Sequence, residues 1–156
     1  MGESYRGQCN LHLYLARQYL AELTNGDSAM WGGHHARASQ ESAIHQLQLA
    51  YEAHLGDILF HQPRFQKSLP KGRVNARILA VGEYPPEIAE LAEREVHDAQ
   101  ISYMVNYAYV NRPDEGVAYS PDLIGSAKSS QEEDIKAVLE SLTELVGRHR
   151  AGLLEY

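Results

Sequence analysis

Cysteine is nearly missing from this chain. Cys9 stands alone among 156 residues, so no disulfide can close within the chain, and a reducing compartment is expected. No stretch approaches the ~18 consecutive apolar residues of a membrane-spanning helix, so no membrane association is expected. The opening residues, Met1-Gly2-Glu3-Ser4-Tyr5-Arg6, lack the basic stretch and apolar core of a secretory leader. Together these absences give the expectation of a cytoplasmic protein. Basic charge is also short. Fourteen lysines and arginines face twenty-one acids, a net charge of −7, which disfavours nucleic acid as a partner of the whole surface.

Catalytic patterns are missing too. There is no Gly-x-Ser-x-Gly turn, phosphate-binding loop or dinucleotide glycine pattern. No Glu-x-x-His occurs, which argues against a di-iron carboxylate bundle, since that site takes two such motifs. Cys9 falls on an apolar stripe, where a thiol behaves as a small inert hydrophobe. Neither an enzymatic activity nor a cofactor is expected.

What is present is helical periodicity over one domain, residues 1–156, with no repeat or composition shift to mark a second. The first segment, about Ser4 to Leu23, aligns Cys9, Leu13, Ala16, Leu20 and Leu23 on one face, with Leu11 and Leu15 opposite and Asn25-Gly26 as a stop. A long second helix between Ser28 and His61 carries Ala36, Ala43, Ile44, Leu47, Tyr51, Leu55 and Ile58, and Pro63 ends it. A third opens at Pro85-Pro86 and runs to Asn111, with the stripe Ile88, Ala92, Val96, Ala99, Tyr103, Tyr107 and Val110. A fourth begins at the capping-box pattern Ser130-Gln131-Glu132-Glu133 and buries Ile135, Val138, Leu139, Leu142, Leu145, Val146 and Leu153. Strand signals are absent by comparison. The expected fold is all-α, an up-and-down four-helix bundle with two long connections at about 62–84 and 112–129. Within the first, Val74 to Ala80 suits a short helix.

Tyrosine outnumbers phenylalanine ten to two. A side chain with an apolar body and a polar tip suits half-buried seams and interfaces. On the third helix Ile101, Met104, Val105 and Tyr109 face away from the stripe. They are the candidates for self-association, unless the 112–129 loop covers them.

Two further sets of residues attract attention. Among eight histidines, His54 and His149 project into the core faces of the second and fourth helices. Two inward imidazoles on different helices can bind a metal; alternatively, each completes the core through one hydrogen bond to a carbonyl or a tyrosine. Basic charge collects from Gln62 to Gly82, where Arg64, Lys67, Lys71, Arg73 and Arg77 meet no acid, whereas Glu83 to Asp98 holds six acids against Arg94 alone. Arg64, Lys67, Arg73 and Arg77 are therefore candidates to grip an acidic protein partner or another anion. Their alternative is pairing with the acids of the same molecule.

Arg6, Asn10, Leu13 and Ala16 on the first helix, with Ala43, His45, Leu47, Tyr51 and Leu55 on the second, resemble a family of small bacterial helical-bundle proteins to which no activity is assigned. That resemblance implies the helical layout and no site. A weaker likeness is to the HEPN nucleotide-binding and ribonuclease bundles, which carry Arg-x4–6-His on a late helix. Here Arg148 and His149 are adjacent, Arg94 and His97 have two residues between them, and Arg37 and His45 have seven. The motif is missing, which argues against ribonuclease activity. The function expected from the sequence is a non-enzymatic interaction or regulatory module, homodimeric, with a histidine-based metal or enzyme site as the alternative.

Overall fold

A computed structural model describes residues 4–24, 28–66, 68–109 and 121–153, with backbone alone for residues 24, 28–36 and 121–131. The chain is all-α, with no strand among the described residues. Among the described residues six helices appear in place of the four expected. They are α1 (Tyr5–Thr24), α2 (Ser28–Phe60), α3 (Ala76–Leu79), α4 (Pro86–His97), α5 (Ala99–Val105) and α6 (Pro121–Leu153), with a 3-10 turn at Pro63–Phe65.

Helix α1 starts where Ser4 Oγ accepts from the Gly7 amide at 3.0 Å, satisfying one of the donors that a helix start leaves unpaired. Cys9, Leu13 and Ala16 then bury at helical spacing and pack on α2. The expected stop at Asn25-Gly26 lies outside the described residues. Helix α2 is the central post. From Ala53 to Leu59 every residue is buried, so the helix is enclosed on all sides rather than along one wide face. Gly56 lets α1 come close: a Cβ there would stand 2.6 Å from Tyr5 Cδ1. Enclosure also means that the polar side chains of this stretch, His54 and Asp57, must find partners within the protein.

The third expected helix is broken. Pro85 and Pro86 do open α4, but Asp98 leaves helical geometry and caps both neighbours. Its amide donates to the Arg94 carbonyl, while its side chain accepts from the amides of Gln100 and Ile101 at 2.9 and 3.2 Å. The break shifts the phase of everything after it. Ile101 and Met104, expected to face outward, are fully buried in this chain's own core, and Tyr103 and Tyr107 are half-buried. Before the break the buried stripe is Ile88, Leu91 and Glu95, with Val96 exposed, which corrects the expected Ala92–Val96 line. The helix stops at Val105, short of Asn111.

Helix α6 begins at Pro121, and Ser130 lies inside it. Its buried residues Ile135, Val138, Leu139, Leu142, Leu145, Val146 and Leu153 are those expected. The segment 121–129, expected as loop, is helical, and the rest of the loop that could cover the third helix, residues 112–120, lies outside the described residues. The short helix expected within 74–80 is α3. Asn75 caps it through a 2.8 Å bond from the Ile78 amide.

Candidate functional site

His54 from α2 and His149 from α6 meet in the interior. His54 Nε2 lies 2.9 Å from His149 Nδ1. The rings are parallel within 6° with centroids 5.2 Å apart. That separation is taken up almost wholly along the N···N line, so the imidazoles lie edge to edge in one plane, joined by an in-line hydrogen bond. His149 Nε2 continues the row to Glu90 Oε1 at 2.8 Å. Glu90 on α4 also accepts from Arg94 Nε at 3.0 Å and from Arg148. Partial burial raises the Glu90 pKa, but hydrogen bonds from Arg148, His149 and Arg94 outweigh it and hold the group down to about 2.

An ionised Glu90 can only accept, so His149 Nε2 carries a hydrogen. With His149 neutral, its Nδ1 is a bare acceptor, His54 Nε2 donates to it, and His54 Nδ1 is left as a lone pair. That nitrogen is buried with no hydrogen-bond partner among the described residues. Protonating His149 reverses the central bond and moves a hydrogen to His54 Nδ1. Burial, then the charges of His149, Arg150 and Arg6, lower the His54 pKa to about 3, so His54 stays neutral at ordinary pH.

A second buried array lies one turn along α2. Asp57, with a side chain only 1% exposed, accepts from Arg6 Nε at 3.1 Å, and His61 Nδ1 stands 2.9 Å from its Oδ1 while hydrogen-bonding to the Asp57 main-chain carbonyl at 3.0 Å. Arg150 Nε stands 3.9 Å away, too far for a direct hydrogen bond. Cys9 sits beside these groups. Burial raises its thiol to about 11, against the opposing pull of Arg150, so it is protonated and a poor nucleophile.

A third array was not anticipated from the sequence. Glu95 is completely buried and accepts from Tyr51 Oη at 2.6 Å, the Ala76 amide at 2.6 Å, and Arg77 Nε at 2.9 Å. It ties α2, α3 and α4 together. Its position at helical spacing from Ile88 and Leu91 was the available signal, since those residues mark the inward stripe.

Two inward histidines thus converge as the sequence left open, but on each other rather than on a carbonyl or a tyrosine. The direct contact leaves one partner nitrogen tied to Glu90, and no group of three or more His, Cys, Asp or Glu side chains among the described residues is arranged to hold a metal. The basic-loop candidates are engaged within the chain: Arg64 with Glu83 at 3.1 Å, Arg73 with Glu52 at 2.9 Å, and Arg77 with Glu95 at 2.9 Å. Lys67 lies outside the described residues. Of the self-association candidates, Ile101 and Met104 have no free surface. Val105 is half-buried, and so is Tyr109, which donates to Gln48 Oε1 at 2.6 Å.

The open surface lies elsewhere, along the seam between α1 and α6. Two adjoining depressions share Arg17. One, of about 320 Å³, is lined by Asn10, Leu13, Arg17, Thr143, Val146, Gly147 and Arg150. The other, of about 250 Å³, is lined by Arg17, Leu20, Ala21, Glu132, Lys136 and Leu139. Residues early in α1 face residues late in α6, so the two helices run antiparallel. From Asn10 to Ala21 the furrow extends about 17 Å at the helical rise. Comparison with protein-family models, with curated proteins and with solved structures returns no match.

Proposed function

We propose that this protein is a non-enzymatic recognition module that holds an acidic, amphipathic helix of a partner protein in the α1–α6 furrow. The furrow's lining carries the reading: an apolar floor of Leu13, Leu20, Leu139 and Val146 beneath three cations, Arg17, Lys136 and Arg150, against the single acid Glu132. In a chain of net charge −7, that local excess of positive charge selects an acidic occupant and steers its approach. About three helical turns fit the furrow's length, which is the reach of a helix that anchors through residues at i, i+3, i+4 and i+7. The burial of His54, the thiol state of Cys9 and the in-chain pairing of the basic loop favour recognition over catalysis, and favour this seam over the loop as the seat of an acidic partner.

The test uses a labelled fourteen-residue peptide with a leucine stripe flanked by glutamates, and a scrambled peptide of the same composition. Fluorescence anisotropy is expected to give saturable binding of the patterned peptide alone, weakening as salt rises and lost with Lys136→Glu. Equal binding of both peptides, or indifference to Lys136→Glu, sinks the reading. Sedimentation of the unliganded protein as a dimer that Lys136→Glu dissociates would make a second copy the occupant instead.

A further inference from the structure

Charge does not balance at the Asn10–Arg150 end of this furrow. Two guanidiniums, Arg6 and Arg150, converge on one buried carboxylate, Asp57, and no other carboxylate among the described residues reaches either of them. Asp57 is already served by Arg6 and by His61. Arg150 is the more loosely held of the two, with the Cys9 thiol as its hydrogen-bonding neighbour. It stands 3.9 Å from Asp57, and its Nε and Nη2 are buried without a hydrogen-bond partner. Donors left in that state carry a desolvation cost that a suitable acceptor would remove.

Arg150 also forms the wall where the furrow ends, across from Asn10 and in the same depression as Arg17. Among the described residues Arg17 has a long contact of 3.4 Å to Thr143 Oγ1. Thr143, Gly147 and Arg150 follow one another at helical spacing, so they share one face of α6. Gly147 leaves the floor open between the arginines, since a Cβ built there would meet nothing within 4 Å.

We propose that this end of the furrow is an oxyanion site, in which Arg150 and Arg17 close from opposite walls on a phosphate or carboxylate group, with Asn10 and Thr143 supplying polar contacts. Turning Arg150 toward such a group breaks no direct hydrogen bond to Asp57, which keeps Arg6 and His61, and gives up only its weak contact with the Cys9 thiol. Guanidinium forks suit two-oxygen recognition of either anion. The inference deepens the recognition reading and rests on the same furrow, because an acidic helix would place a carboxylate here. It concerns only the Arg17–Arg150 end, whereas peptide binding also needs Lys136 and the floor beside it.

The experiment titrates inorganic phosphate, and separately acetate, into the full chain at constant ionic strength set with chloride, reading melting temperature and calorimetric heat. Saturable stabilisation by phosphate, by acetate or by both is expected, and which anion acts identifies the source. Arg17→Gln is expected to weaken binding at least tenfold. Gly147→Met starts from a Cβ that meets nothing within 4 Å and extends over the floor, so it is expected to abolish binding while the melting temperature without anion holds or rises. That variant keeps the test clear of misfolding. Absence of a saturable effect by either anion, or equal binding in Gly147→Met, overturns the site. Lys136→Glu separates the two ideas: peptide binding lost with phosphate binding kept leaves the oxyanion site standing, and phosphate binding lost in Gly147→Met with patterned-peptide binding kept leaves the recognition reading standing.

Discussion

His54 and His149 share an in-plane hydrogen bond of 2.9 Å between Nε2 and Nδ1, and this bond sets the direction of every proton in the row that ends at Glu90. With His149 neutral, both histidines carry their hydrogen on Nε2. Nitrogen-15 NMR, at a pH where His149 is neutral, is expected to report that tautomer for the two rings. A Glu90→Gln exchange removes the charge that fixes it and is expected to mix the tautomers. Finding His54 with its hydrogen on Nδ1 at that pH would contradict the assignment.

The same burial fixes a pH dependence. His54 has a folded pKa near 3, below its ordinary value of 6.5, so below 6.5 the unfolded chain binds a proton that the native state refuses. Its contribution is complete above pH 6.5 and falls away toward pH 3, amounting to a loss on the order of 4 kcal/mol. Glu90, held at about 2 against 4.5, adds a contribution that is present above 4.5 and is lost as pH falls through 2. Urea unfolding at pH 7.5, 5.5 and 4.5 should therefore show declining stability. His54→Gln keeps an N–H for His149 but cannot titrate, so the slope between pH 6.5 and 4.5 should flatten. An unchanged slope would rule His54 out as its source.

Gly56 predicts a steric coupling. A methyl group at this position would lie 2.6 to 2.7 Å from three atoms of the Tyr5 ring, so α1 must shift or Tyr5 must swing out. Gly56→Ala is expected to cost about 1–3 kcal/mol, as overpacking does, despite alanine's better helix propensity. Tyr5→Ala in the same chain should recover part of that cost, visible as a non-additive double-mutant cycle. Strict additivity would mean that the ring is not what resists the methyl.

How much of this was legible in the sequence depends on what set each feature. The all-α class and the buried faces of α1 and α6 follow from apolar spacing alone, so Cys9, Leu13, Ala16, Leu142 and Val146 could be read directly. The inward direction of His54 and His149 was legible for the same reason. Their meeting was not, because it depends on how α2 and α6 are rotated against each other. The break at Asp98 carries no proline or glycine; one aspartate made it by capping two helices at once, and the resulting phase shift moved Ile101 and Met104 from the expected outer face to the core. In α6, Ser130 to Glu133 fits a capping box yet lies within a continuous helix, whereas Pro121 at the first helical position was the working start signal.

Glu95 predicts a structural dependence that crosses three helices. Its carboxylate is fully buried and accepts from Tyr51, Ala76 and Arg77. Removing it orphans a buried hydroxyl and two amides at the start of α3. Glu95→Ala is expected to cost about 3–5 kcal/mol, the range for breaking a buried charged pair. Hydrogen exchange should quicken at the Ala76 amide before it does elsewhere. Unchanged protection at Ala76 would mean that α3 is held by its own cap at Asn75 instead.

The basic segment offers the sharpest internal comparison, because its arginines look alike in sequence and differ in what they touch. Arg64 pairs with Glu83, and both side chains are largely exposed, at 72% and 75%. Such a pair gains little in water, since each charge is well solvated apart and two long side chains must be ordered to meet. Arg64→Ala should therefore change stability by no more than about 1 kcal/mol. Arg77 is itself 44% exposed, but its partner Glu95 has no exposure at all. Deleting this guanidinium leaves a buried carboxylate with its neutral donors and no positive charge beside it, at a cost of about 1–3 kcal/mol. Arg73→Ala should fall between them, because Glu52 is mostly buried and also accepts from the Val74 amide at 3.1 Å. Urea midpoints at pH 7.5, with the slope of the transition unchanged, give the order directly. Raising salt from 0.05 to roughly 0.5 M, which shortens the screening length about threefold, should reduce any Arg64 effect and leave most of the Arg77 effect in place. If Arg64→Ala proves as damaging as Arg77→Ala, burial of the acid is not what distinguishes them, and the assignment of this segment to in-chain pairing fails.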